Sequence, residues 1–120
     1  MVRRLSSDLW VASYLRQCRL NGSFGYLAKR GATDAGAIFV KIVEPDGSVN
    51  LYGPAPQSEF LNSPNEDDFS GEDSRIFELV LVSTEEQIEA RLSSEKNFDP
   101  DIWVVEVENA TGNHALRLVE

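Results

Sequence analysis

Lys29 and Arg30 stand directly before a Gly-bounded run, RGATDAGAIFVKI (Arg30–Ile42), which carries Thr33 and Asp34. Two cations beside a short polar loop can form an anion pocket, the guanidinium acting as a bidentate fork and the ammonium as a point charge. Tyr52 joins them by register. If Val43 pairs with Ser48 across the turn Glu44-Pro45-Asp46-Gly47, Tyr52 faces Phe39, and the chain leaves the sheet through Gly53-Pro54-Ala55-Pro56 beside the start of the second strand. Lys29, Arg30, Thr33, Asp34 and Tyr52 are therefore expected on one rim, formed by residues 29–36 and 52–56. A purely structural reading stands beside this one. In it Arg30 pairs with Asp34 and pins a stiff hairpin loop, Gly31 and Gly36 serve backbone geometry, and Tyr52 covers the edge of the core.

Other reaction chemistry is sparse. The sequence has no glycine-rich phosphate loop before a helix, no nucleophile elbow and no Cys/His cluster. One cysteine and one histidine preclude a Cys/His zinc site within a single chain, and no cofactor is expected. Cys18 falls on the apolar stripe of a helix with no base beside it, so it reads as a small buried hydrophobe. His114 opens the last strand as an edge residue, with general acid/base work as its functional alternative. Glu66-Asp67-Asp68 and Glu72-Asp73 lack the alternating acids, central glycine and terminal glutamate of a calcium loop. They read as a flexible, solvated acidic loop over about residues 57–74.

The elements that must hold this rim follow from periodicity. Ser7 or Asp8 can cap a helix running to Leu20 and ended by Asn21-Gly22, with Val11, Tyr14, Leu15 and Cys18 on one stripe and Trp10 on its flank. The period then becomes two. Phe24–Arg30, Ala37–Val43 and Ser48–Tyr52 read as strands joined by two short loops, hence as two successive hairpins. Arg75–Val82 is a fourth strand. Ser83-Thr84-Glu85-Glu86 matches a capping box, and Ile88 and Leu92 give the following helix a narrow apolar stripe. Ile102–Glu108 and His114–Val119 complete the set, with Trp103, Val105 and Val107 on the opposite face from Glu106 and Glu108. The expected fold is α+β: one small domain over residues 1–120, a mostly antiparallel sheet with an N-terminal helix and a second helix before the last two strands. The order is αββββαββ, with the helices against one face.

Bulk composition limits the partners. With 120 residues, 42% hydrophobic and 26% charged, the chain can bury one core without staples. A single cysteine and apolar runs of no more than four residues point to a reducing, cytoplasmic setting without a membrane span. The net charge of −9 is uneven: residues 1–41 carry seven Lys/Arg against two Asp, and residues 42–120 four against eighteen Asp/Glu. Nucleic acid is not an expected partner, because the basic residues form no stripe and the acidic remainder repels phosphate. A basic protein partner or self-association fits the charge asymmetry better.

The stretches SSDLWVASYLR, RGATDAGAIFVKI, LYGPAPQ and FDPDIWVVEVE together resemble a bacterial family of small proteins known as domain of unknown function 1491. The likeness runs from about Ser7 to about Glu108 and is weakest in the acidic loop. These are patterns of strand, turn and apolar residue, so the resemblance implies a bacterial cytoplasmic protein of one domain and carries over no assigned activity, substrate or catalytic residue. Two functions are carried forward. The first is a non-catalytic module binding a protein or a small anionic ligand at the rim of Lys29, Arg30, Thr33, Asp34 and Tyr52. The alternative is a small enzyme on an anionic metabolite, with Arg30 orienting it and Asp34, Tyr52 or His114 transferring protons.

Overall fold

The run IFVKIV forms strand β2 (Ile38–Val43), and its first five residues are all buried. A strand covered on both faces needs a layer on each side, and the two helices supply them. In the computed structural model, which describes residues 5–56, 75–109 and 114–118, the order is α1 (Ser7–Leu20), β1 (Phe24–Lys29), β2, β3 (Val49–Pro54), β4 (Phe77–Ser83), α2 (Glu85–Phe98) and β5 (Trp103–Glu108). The acidic stretch over residues 57–74 lies outside the described residues.

Alternation along the strands sorts the core. Ile38, Val40 and Ile42 of β2 and Trp103, Val105 and Val107 of β5 meet Trp10, Val11, Tyr14 and Cys18 of α1. On the other face Phe39, Val49, Leu51 and Val104 meet Ile88 and Leu92, the two buried residues of α2. The helices thus lie on opposite faces, not on one as the periodicity alone led us to expect. Fully burying one such aliphatic side chain contributes roughly 1.5–3 kcal/mol, so α2, with two, is the more lightly held layer.

The sheet order is β1-β5-β2-β3-β4, with β2 and β5 parallel and every other pair antiparallel. Two corrections follow. First, β1 and β2 do not form a hairpin: β5 lies between them and pairs with both. Second, β2 and β3 are one residue out of the expected register, with Tyr52 opposite Val40 and Val43 opposite Val49. Glu44 N–H donates to Ser48 O at 2.9 Å and Gly47 N–H to Glu44 O at 2.9 Å, so the loop has three residues, not four. Gly47 closes it at φ 92, the left-handed bulge geometry of three-residue hairpins.

Both helix N-caps differ from expectation: Ser6, not Ser7 or Asp8, is the cap position of α1. Thr84, not Ser83, caps α2, its hydroxyl accepting from Gln87 N–H at 3.2 Å. Thr84-Glu85-Glu86-Gln87 is itself a capping-box spacing, which explains the ambiguity. The expected sixth strand reduces to an isolated parallel bridge between Leu118 and Phe77. Ala115, at φ 59, turns the backbone out of the extended region there.

Candidate functional site

The loop between β1 and β2 must step across the start of β5, and this explains its composition. Ala32 N–H donates to Asp101 O at 2.9 Å, and the Trp103 indole N–H donates to Ala32 O at 2.7 Å. A Cβ on Gly31 or on Gly36 would collide with the same Asp101 carbonyl, so both glycines are there for close backbone approach. Lys29 Nζ donates to Pro100 O at 2.8 Å, Ile102 O at 3.0 Å and Arg30 O at 3.1 Å. Its ammonium caps three carbonyls where the chain turns into β5. The Arg30 guanidinium lies 5.1 Å from the centroid of the Trp103 ring instead of pairing with Asp34.

The far side of the loop holds α1. Asp34 O accepts from Ser7 N–H at 3.0 Å and Thr33 O from Asp8 N–H at 3.1 Å, satisfying two of the free amides at the helix start. The Ser7 hydroxyl, wholly buried, donates to Gly36 O at 2.7 Å and accepts from an Arg75 NH2 group at 3.2 Å. A second bond from the same nitrogen reaches Leu5 O at 3.0 Å. Arg75, only 9% exposed, is thus oriented by the first residue of α1 and by the irregular segment that leads into it.

Beside it opens a cavity of about 480 Å³. Asp34, Ala35 and Ala37 form its loop wall; Leu5, Ile38, Pro54, Ala55, Ile76 and Phe77 make it largely apolar; Arg75 supplies the cation. Of the five rim residues only Asp34 lines this space. Thr33 contributes its carbonyl to α1, and Lys29 and Arg30 are engaged over the start of β5. Tyr52 is buried in the α1-side core with its ring 5.2 Å from that of His114. Burial raises the Tyr52 phenol pKa and lowers that of the His114 imidazole, whose Nδ1 accepts from Leu116 N–H at 3.0 Å. Tyr14 donates to the His114 carbonyl at 2.7 Å. Arg75 was missed from the sequence. It stands two residues before β4 and is the first base after Lys41, following a stretch rich in acid, the one signal that set it apart.

A second polar centre sits on the α2 face. Lys41, 1% exposed, places Nζ 2.6 Å from Glu85, 2.7 Å from Glu89 and 3.7 Å from Glu106. Burial acts to lower the ammonium pKa, but the bonds from Glu85 and Glu89 and the field of Glu106 outweigh it and raise the value. Tyr26 donates to the second oxygen of Glu106 at 2.5 Å. Among the described residues no three His, Cys, Asp or Glu side chains are placed to hold a metal ion. No helix among them is long and apolar enough to cross a membrane.

A family profile described as "Protein of unknown function (DUF1491)" matches residues 5–117. The chain belongs to the DUF1491 family. Solved DUF1491-like structures agree in fold. A protein of A. tumefaciens, solved in solution, is 41% identical, with a TM-score of 0.78 over 98% of this chain and 96% of its own. A DUF1491 protein of Caulobacter crescentus, in its crystal structure at 30% identity, gives a TM-score of 0.74 over 95% of this chain and 98% of its own. An NMR structure of a DUF1491 protein from the same organism, at 32% identity, gives 0.74 over 97% of each chain. Comparison with curated proteins finds no match.

Proposed function

We propose that the protein is a cytoplasmic, non-catalytic binding module whose cavity beside the start of α1 takes a small molecule with an anionic head and an apolar body. The observation that carries this reading is the Arg75 guanidinium, nine-tenths buried and fixed by Leu5 and Ser7, on the wall of a mostly apolar cavity of about 480 Å³. That volume falls in the range of small-molecule sites, roughly 300–1,000 Å³. A guanidinium already held in place loses little freedom on meeting a carboxylate or phosphate. Binding is favoured over catalysis because Tyr52 and His114 are absent from the cavity wall, leaving Asp34 as the proton-transfer candidate on it.

Thermal unfolding with carboxylic acids and phosphate esters, each paired with a neutral amide or alcohol of similar shape, tests the reading. An anion that binds raises Tm with its concentration; the neutral counterpart does not. Ala35→Trp, a substitution at an exposed residue of the cavity wall, abolishes the rise while leaving unliganded Tm nearly unchanged. A rise that survives this substitution, or no rise with any anion, refutes the proposal.

A further inference from the structure

Strand β1 ends the sheet, and among the described residues nothing pairs with its outer edge. Alternate residues of such a strand turn their N–H and C=O groups outward, ready to receive another strand. The edge is regular over Phe24–Leu27, up to the irregularity between Leu27 and Lys29, and carries no proline. Phe24 is 64% exposed and Tyr26 45% exposed, their rings 6.0 Å apart. Register fixes their surroundings: Phe24 lies opposite Glu108 and Tyr26 opposite Glu106. All four share the face on which Lys41 gathers Glu85, Glu89 and Glu106. On that face α2 packs against β3 and β4, leaving the two aromatic rings uncovered. Glu85, Glu89 and Glu106 there share the ammonium of Lys41, and Glu108 adds a fourth carboxylate to the face. The Lys29 ammonium, at the far end of the strand, is already tied to three carbonyls.

We infer that β1 is a docking edge for a short, extended, lysine- or arginine-rich segment of another protein, which adds to the sheet as a sixth strand. Backbone pairing would supply affinity independent of sequence, and the side chains on the α2 face would choose the partner. Cationic side chains alternating along that segment meet the open ring faces of Phe24 and Tyr26 and the carboxylates of Glu106 and Glu108. A second copy of the chain fits poorly. Antiparallel pairing of two β1 strands sets their like faces side by side, adding a second group of carboxylates to the first.

The test uses the full chain and a ten-residue peptide alternating lysine and valine, with its glutamate–valine counterpart as control. Amide exchange and chemical shifts read the site, and a titration reads affinity. The lysine peptide is expected to slow exchange at residues 24–27 and the glutamate peptide to leave it unchanged. Glu108→Lys, at an exposed position, is expected to weaken binding of the lysine peptide at least about fivefold without changing Tm. Absence of protection at β1, protection elsewhere, or unchanged affinity in Glu108→Lys overturns the inference. Dimerisation of the free protein that is lost in Phe24→Ser also overturns it, since the edge would then belong to a second copy.

Discussion

The Arg30 guanidinium lies 5.1 Å from the ring centroid of Trp103, a residue more than seventy positions away in sequence. Trp103 also donates through its indole nitrogen to Ala32, so one buried ring fastens both the side chain and the backbone of the loop to β5. A partly exposed stack of this kind contributes about 0.5–1 kcal/mol. Arg30→Ala is expected to lower stability by about that amount. A double-mutant cycle with Trp103→Leu, followed by urea unfolding, should recover most of it as coupling energy. Additive effects would mean that the stack contributes nothing.

The loop glycines give a sharper contrast. Alanine at Gly31 or Gly36 drives a methyl group into the Asp101 carbonyl, and backbone on both sides must move. Each is expected to cost about 2–4 kcal/mol, at the upper end of single-site effects. Gly47→Ala meets open space and bears only the left-handed strain of φ 92, about 1–2 kcal/mol. Equal losses at all three sites would contradict the close approach at Asp101.

Removing the Lys41 ammonium separates charge from volume. Lys41→Ala should cost about 2 kcal/mol, below the usual penalty for a broken buried pair because Glu85 and Glu89 can rehydrate. Lys41→Met keeps the volume and should stay within about 1 kcal/mol of wild type. The raised ammonium pKa also sets a direction with pH: its contribution is complete below the unfolded value of 10.5 and is lost as pH climbs above it. Unfolding free energies followed into alkali should therefore fall more steeply for wild type than for Lys41→Met. Parallel curves would show that the ion cluster adds no net stability.

His114 supplies the acid-side counterpart. Its imidazole pKa lies below the ordinary 6.5, chiefly through burial, and the Leu116 amide needs an unprotonated Nδ1. Stability from this group is present above the unfolded value and lost as pH falls toward the lower folded one. The ring protons should titrate with a midpoint below 6.5, and the Leu116 amide resonance should move with them. A midpoint at or above the unfolded value, or an unmoved Leu116 amide, would contradict the burial of the ring.

Local signals carried the helices and strands. The apolar stripe of α1, the narrow stripe of Ile88 and Leu92 and the alternation of β5 all stand where periodicity put them. Adjacency did not follow, because the partner of β1 arrives about eighty residues later and displaces β2, an outcome no local pattern encodes. The two-sided burial of β2 was written in IFVKIV, yet Lys41 in its middle disguised it. Only after Glu85 and Glu89 are seen folded over that lysine does the run read as fully covered. The candidate rim suffered from the same gap. Lys29 and Arg30 are held by residues of the chain near β5, whereas the cavity draws its cation from Arg75, beyond a stretch with no periodic signal.

The central place of β5 has a consequence during synthesis. As the chain leaves the ribosome, α1, β1 and the β2–β3–β4 meander emerge first, and both β1 and the inner edge of β2 wait without a neighbour. Closing that gap demands contacts between distant positions, which slows folding and leaves strand edges open to wrong pairing in the interval. Any nascent chain stopped short of Trp103 lacks the one strand that joins its two halves. Such a fragment would be a substrate for chaperones and proteases, not a smaller working version of the protein.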